Sequence, residues 1–85
     1  MILSAILLQA AAGAALGKVG AALGAAIAAF AGAFGIGKIG KSTMEAIARQ
    51  PESAGNLRTS MLIAAGMVEG AALFAIIVCL LTIFF

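Results

Sequence analysis

Apolar residues run almost unbroken along two stretches of this chain, and a short polar segment separates them. Between Lys18 and Lys38 lie nineteen uncharged residues, VGAALGAAIAAFAGAFGIG. As a helix rising about 1.5 Å per residue they extend about 28 Å, close to the roughly 30 Å hydrocarbon thickness of a bilayer. The second stretch, Thr59 to Phe85, is longer and can span with some tilt. Between them, KIGKSTMEAIARQPESAGNLR carries Lys38, Lys41, Arg49 and Arg58 against Glu45 and Glu52. Lys41 and Glu45 are four apart, a helical spacing that carries the first helix past the bilayer before the turn. Pro51 disfavours helix at Gln50 and suits the first turn of a new helix.

The pattern predicts an all-α membrane protein, a hairpin of two transmembrane helices. We expect an apolar N-terminal extension over residues 1–9 and transmembrane helix 1 over 10–50. A polar loop over 51–55 and transmembrane helix 2 over 56–85 follow. MILSAILLQAAAGA has no basic residue ahead of its apolar run, so we read residues 1–9 as an extension of helix 1 and not as a signal peptide. Four of the five basic residues lie on the loop side, which by the positive-inside tendency puts the loop in the cytoplasm.

Composition narrows the class further. Of 85 residues 65% are hydrophobic and 9% charged, more apolar surface than a soluble domain of this size can hide. With no Trp, Tyr or His, aromatic interface anchors and histidine chemistry are absent. The formal charge of +2 is too small and dispersed for nucleic-acid binding. Cys79 is single, so neither a disulfide framework nor a metal cluster can form within one chain, and it reads as a small buried hydrophobe. The chain has no nucleophile–base pair, phosphate loop or metal set, so we expect no catalysis and no cofactor.

One residue breaks the apolar pattern. Glu69 is the only charge from Thr59 to Phe85. An ionisable group at bilayer depth costs several kcal/mol unless paired or neutralised, so such residues are rare and mark ion or substrate paths. A buried soluble helix or an incidental helix–helix contact are the plainer alternatives. With the turn near Pro51 to Ser53, Glu69 should lie level with residues 33–36 of helix 1. Its neighbours one turn away, Ala65, Gly66, Ala72 and Leu73, are uncharged, and no Ser or Thr lies between Ser60 and Thr82. Such surroundings favour the neutral acid, and small neighbours leave room for the carboxyl to change rotamer. A group that is neutral facing lipid and ionised facing water is a proton carrier. Na⁺ would need several oxygen ligands, and this stretch offers few beyond Glu69 and backbone carbonyls, so protons are favoured as the coupling ion.

Helix 1 holds eight of the eleven glycines. Gly13, Gly17, Gly20 and Gly24 are spaced 4, 3 and 4, and Ala28, Ala31 and Gly35 continue the series. In lipid, where apolar burial gives no net drive between helices, such a stripe lets backbones approach closely. Gly32, Gly37 and Gly40 add small residues on other faces. We expect helix 1 to pack against copies of itself in a closed homo-oligomeric ring, helix 1 innermost, because the smallest side chains fit the smallest radius. A tight two-helix dimer is the simpler alternative.

These residues resemble the c-subunit family of F-type ATP synthases, the proteolipids of the rotor ring. The resemblance covers nearly the whole chain from about Gly13. It is carried by AIARQPE (Ala46 to Glu52), by the carboxylate twenty residues after Arg49, and by FAGAFGIGKIG in helix 1, which looks like the family's glycine motif. It implies that Glu69 is reversibly protonated as the ring turns against the stationary a-subunit, where a fixed arginine exchanges the proton between two half-channels. It implies that Arg49, Gln50 and Pro51 contact the central stalk, formed by the gamma and epsilon subunits. It also implies residence in a bacterial inner membrane, among membrane lipid. Sodium-dependent members carry Gln on helix 1 and Ser just after the carboxylate, where this chain has Ile36 and Gly70. Many members have Tyr where Phe74 stands, and the motif is incomplete at Ala31 and Ala33.

Two lysines are unusual. Lys38 lies one or two turns from the depth of Glu69, and its side chain is expected to snorkel to the loop-side headgroups. The sharper alternative is a charge close enough to act on Glu69. Lys18 lies about 27 Å along helix 1 from Ile36, near the far interface or the ring lumen. Rival readings are the proteolipid of a V- or A-type ATPase, against which the single short hairpin and the RQPE loop argue, and a structural or holin-like hairpin.

Overall fold

The structure, a computed structural model, describes residues 1–85 as two antiparallel helices. Helix α1 runs Ile2–Arg49, a short 3₁₀ turn spans Pro51–Ser53, and α2 runs Ala54–Phe84. The expected hairpin is therefore present, and residues 1–9 continue α1 without a break. The turn is tighter than a loop over 51–55. Gln50, ahead of proline, leaves the helix at φ −133°, ψ 69°, and its carbonyl accepts the Ser53 N–H at 3.0 Å. That bond closes the reversal, so α2 starts at Ala54.

A 48-residue helix rich in glycine would be marginal in water, where each glycine costs about 1 kcal/mol relative to alanine. In hydrocarbon an unsatisfied backbone group costs several kcal/mol, so the fully hydrogen-bonded helix holds regardless of propensity. No glycine has positive φ. The glycines therefore contribute space, not backbone freedom. Hydroxyls in the helices are satisfied locally: Thr43 donates to the Ile39 carbonyl at 2.7 Å and Thr82 to the Cys79 carbonyl at 2.6 Å.

The seam between helices recurs at three- and four-residue steps, as facing helices require. On α1 the shielded positions Ala21, Ala25, Ala28, Gly32, Gly35 and Ile39, and on α2 Ala64, Val68, Ala72, Ile76 and Cys79, mark the seam. Close approaches fix the register. A Cβ on Gly24 would lie 2.9 Å from the Cys79 sulfur, one on Gly32 2.9 Å from the Ala72 Cβ, and one on Gly35 3.6 Å from Val68. Only Ala21 and Gly32 are buried, and the molecule is a ribbon with Cα extents of 75 × 17 × 7 Å. Both helices are long and apolar enough to cross a membrane. Nearly every large apolar side chain is exposed, Phe30 at 72% and Phe34 at 58% among them, so the ribbon's apolar surface calls for lipid or further protein around it.

Candidate functional site

The ribbon's register sets Glu69 opposite residues 34–35, inside the 33–36 window expected from the turn position. Glu69 lies beside the seam, on one broad face of the ribbon. It lines a depression of about 190 Å³ with Ala29, Gly32, Ala33 and Ile36 of α1 and Ala72, Leu73 and Ile76 of α2. Every one of those neighbours is apolar. None of the side-chain hydrogen bonds, made by Thr43, Arg49, Thr59 and Thr82, reaches its carboxyl. The carboxyl is exposed on the isolated ribbon, so its surroundings in the membrane are lipid and protein packed onto this face. No group of three His, Cys, Asp or Glu side chains comes together anywhere in the chain.

The other broad face carries two grooves. One of about 350 Å³ is lined by Ala28, Ala31, Val68, Ala71 and Ala75, with the seam residues Gly32 and Ala72 that it shares with the Glu69 depression, and one of about 440 Å³ nearer the turn by Lys38, Ser42, Thr43, Leu57 and Ser60, among others. On α2 the lining residues of these grooves follow one another at three- and four-residue steps, while Glu69, Leu73 and Ile76 lie around the helix from them. Lys38 and Glu69 of one chain thus sit on opposite faces. The Lys38 ammonium rests 5.1 Å from the centroid of the Phe34 ring, which stacks on Phe30 at 6.2 Å. It points back along the helix toward the depth of Glu69. A lysine four residues after an aromatic can lay its ammonium on that ring, a contact worth about 0.5–2 kcal/mol.

The glycine stripe is divided. Gly24 and Gly35 touch α2, whereas Gly13, Gly17, Gly20 and Gly37 have open space where a side chain would go. Gly20, Gly24 and Ala31 continue the Lys38 face, and Ala22, Ala26, Ala29 and Ala33 continue the Glu69 face. The edge of α1 farthest from α2 carries Leu23, Ile27, Phe30 and Phe34. Small residues therefore line the two broad faces, not that far edge. Sequence reasoning also left Gly32 out of the stripe, although Gly32 faces the Ala72 Cβ across the seam and is one of the two buried residues. Small residues recur on three sides of α1, so no one periodicity could single out the seam.

At the turn, Arg49, Gln50 and Pro51 are all exposed at the tip. Arg49 Nε donates to the Glu45 carbonyl at 3.4 Å, and the Gln50 N–H donates to the Ala46 carbonyl at 2.8 Å. From Ala54 to Glu69 the helix rises about 22 Å, so the tip and the carboxylate are separate sites.

A lone mid-span carboxylate on a two-helix ribbon, with a polar RQP tip, is the arrangement on which the comparisons with known proteins bear. The family model for the ATP synthase c-subunit matches residues 19–82, which include α1 from Val19 onward, the tip, and α2 as far as Thr82 with Glu69. The chain belongs to the ATP synthase c-subunit family. It is 68% identical to the ATP synthase c-subunit of Phocaeicola vulgatus over 98% of this chain and 99% of that one. It is 54% identical to that of Bacteroides thetaiotaomicron and 58% identical to that of Bacteroides fragilis, each over 99% of both chains. Membership makes this a membrane component of an ATP synthase complex, with a role in ion transport and ATP synthesis.

Proposed function

We propose that the chain is a proton-carrying rotor component: identical hairpins close into a ring, and Glu69 is protonated and deprotonated in turn as the ring passes the a-subunit. The observation that carries the reading is Glu69 itself, the only charge from Thr59 to Phe85, set mid-span among apolar, mostly small neighbours. An ionised carboxylate at this depth costs about 2.5–3.5 kcal/mol on insertion scales, so the acid crosses the lipid-facing part of each turn in its neutral form. Opposite the a-subunit, an arginine of that partner and an aqueous half-channel favour release. Ala29 and Ala33 beside the carboxyl leave it room to swing between the two settings.

The coupling ion is H⁺. A sodium site needs several oxygens around the ion, and Ile36, Gly70 and Leu73 supply no side-chain oxygen next to Glu69. Ring closure follows from the two different broad faces. A face lined by Gly20, Gly24 and Ala31 packing on a neighbour's face lined by Ala26, Ala29 and Ala33 is a heterologous contact, and repeated rotation closes it. The tip at Arg49, Gln50 and Pro51 meets the gamma and epsilon subunits of the central stalk, so rotation reaches the catalytic head, and the chain performs no covalent chemistry itself. Basic residues near the tip place it on the cytoplasmic side of a bacterial inner membrane.

Glu69→Gln tests this directly, since the amide keeps the shape of the neutral acid and cannot release a proton. In vesicles holding the whole complex, the variant ring should assemble at wild-type yield and ATP-driven proton uptake should fall to background. Uptake at the wild-type rate would refute the carrier role and bring back the passive structural hairpin.

A further inference from the structure

We infer that residues 2–17, which carry α1 past the end of α2, pack against the same residues of neighbouring copies and form a helical collar on the ring, beyond the membrane surface opposite the tip; the inference rests on the ring proposed above. Three close approaches, Gly24 to Cys79, Gly32 to Ala72 and Gly35 to Val68, fix the register and put Phe84, the last residue of α2, level with residues 19–20. Residues 2–17 of α1 run about 24 Å beyond that level without a break. The hydrocarbon cannot hold them. Helix α1 is about 72 Å long against a core of roughly 30 Å, and the nineteen uncharged residues between Lys18 and Lys38 already fill that core. Every residue from Met1 to Gly20 is exposed on the hairpin, Leu8 at 72% and Leu16 at 73% among them.

This overhang needs a cover, and its chemistry selects one. Between Ile2 and Gly17 the only polar side chains are Ser4 and Gln9, about 140° apart around the helix, so it has no polar face. A helix that is apolar all round is buried against protein, whereas one lying on a membrane surface needs a polar or charged face. Nor does the overhang carry a charged side chain with which to recognise an acidic or basic partner. The overhang of the next copy fits. Neighbours in the ring already hold their α1 helices side by side, so contact between overhangs costs little further freedom. Outside the lipid, burial of apolar surface drives them together. The two broad faces of the spanning part also run on into the overhang. Ile6 and Gly13 stand in line with Gly20, Gly24 and Ala31, and Ser4, Ala11 and Ala15 with Ala22, Ala29 and Ala33. Gly13 and Gly17 have nothing within 4 Å, and residues 10–15 are all Ala or Gly, so backbones can approach closely along this neck.

The test uses whole complexes in which Cys79→Ala removes the native thiol. Ser4→Cys and Ile6→Cys in one chain put two thiols on opposite faces of the overhang, where they cannot meet within a copy. Oxidation with copper phenanthroline and air should join neighbouring copies into a ladder of disulfide-linked multimers above the dimer on denaturing gels. Either substitution alone should give no ladder, because its thiol faces a native side chain of the next copy. Ala31→Cys with Ala33→Cys reports the ring itself at mid-span. A ladder at mid-span with none at positions 4 and 6 would overturn the collar and leave the ring standing, whereas no ladder at either level would overturn both. Packing has a second readout. Gly13→Leu meets nothing within the hairpin, yet it should wedge the neck apart, deplete the ladder at positions 4 and 6, and lower the SDS mole fraction at which the ring dissociates. An unchanged ladder and midpoint would overturn the packing. So would a wild-type subunit whose intact mass lacks residues 1–9.

Discussion

Gly32 packs against the Ala72 Cβ across the seam, and adding one methyl group there is a sharp test of the packing. A Cβ at Gly32 would lie 2.9 Å from the Ala72 Cβ, whereas ordinary contact begins near 3.4 Å. Neither group can rotate away, since both are Cβ atoms fixed to helical backbone. The helices must therefore part by at least about 0.5 Å at this level, and overpacking of this kind costs about 1–3 kcal/mol. In water the change from glycine would return about 1 kcal/mol of helix propensity. In a bilayer the separated helices are helical already, so most of that return is lost. We expect Gly32→Ala to weaken α1–α2 association by about 1–2 kcal/mol, and Ala72→Gly to restore most of it in the double variant. The assay is the SDS mole fraction at half-separation in mixed micelles, followed by energy transfer between probes on exposed positions of the two helices. A single variant as stable as wild type would refute the packing argument, and so would a double variant that shows no coupling. Ala72 also borders the depression at Glu69, so the parted helices should slow proton transport as well.

Three further outcomes follow from the same geometry. Gly24→Ala should cost less than Gly32→Ala, below about 1 kcal/mol in the same micelle assay, because the sulfur it meets at 2.9 Å belongs to Cys79 and can change rotamer. Gly20→Leu should leave the hairpin intact, since nothing in the chain lies within 4 Å of that site, yet it should abolish the ring on native gels if a second copy packs there. Glu69→Asp keeps the acid but withdraws it by one methylene, and proton uptake in vesicles should fall about tenfold, between wild type and Glu69→Gln.

The hairpin was legible because its signals act over many residues. Nineteen uncharged positions before Lys38, Pro51 in the middle, and twenty-seven residues with a single charge leave little else for the backbone to do in lipid. The depth of Glu69 was legible for the same reason: once the turn is placed, a fixed rise per residue does the rest. Which face each small residue takes was not. Gly24, Gly32 and Gly35 touch α2 while Gly13, Gly17 and Gly20 do not, and all six look alike to a periodicity argument. The choice depends on which small residue meets Ala72 or Cys79 across the seam, a fact about pairs of distant positions. The contact of the Lys38 ammonium with the Phe34 ring, one turn back, was not read from the sequence either, because it too is a matter of a specific pair of side chains.

Above all, Glu69 is held to be a carboxyl that carries protons and not sodium ions. The most direct measurement is the rate of dicyclohexylcarbodiimide labelling of the purified wild-type oligomer, mapped by mass, across pH and with or without Na⁺. The reagent attacks a protonated carboxyl in apolar surroundings. Labelling confined to Glu69, falling at high pH and indifferent to Na⁺, is the predicted result. Protection of Glu69 by Na⁺ would contradict it.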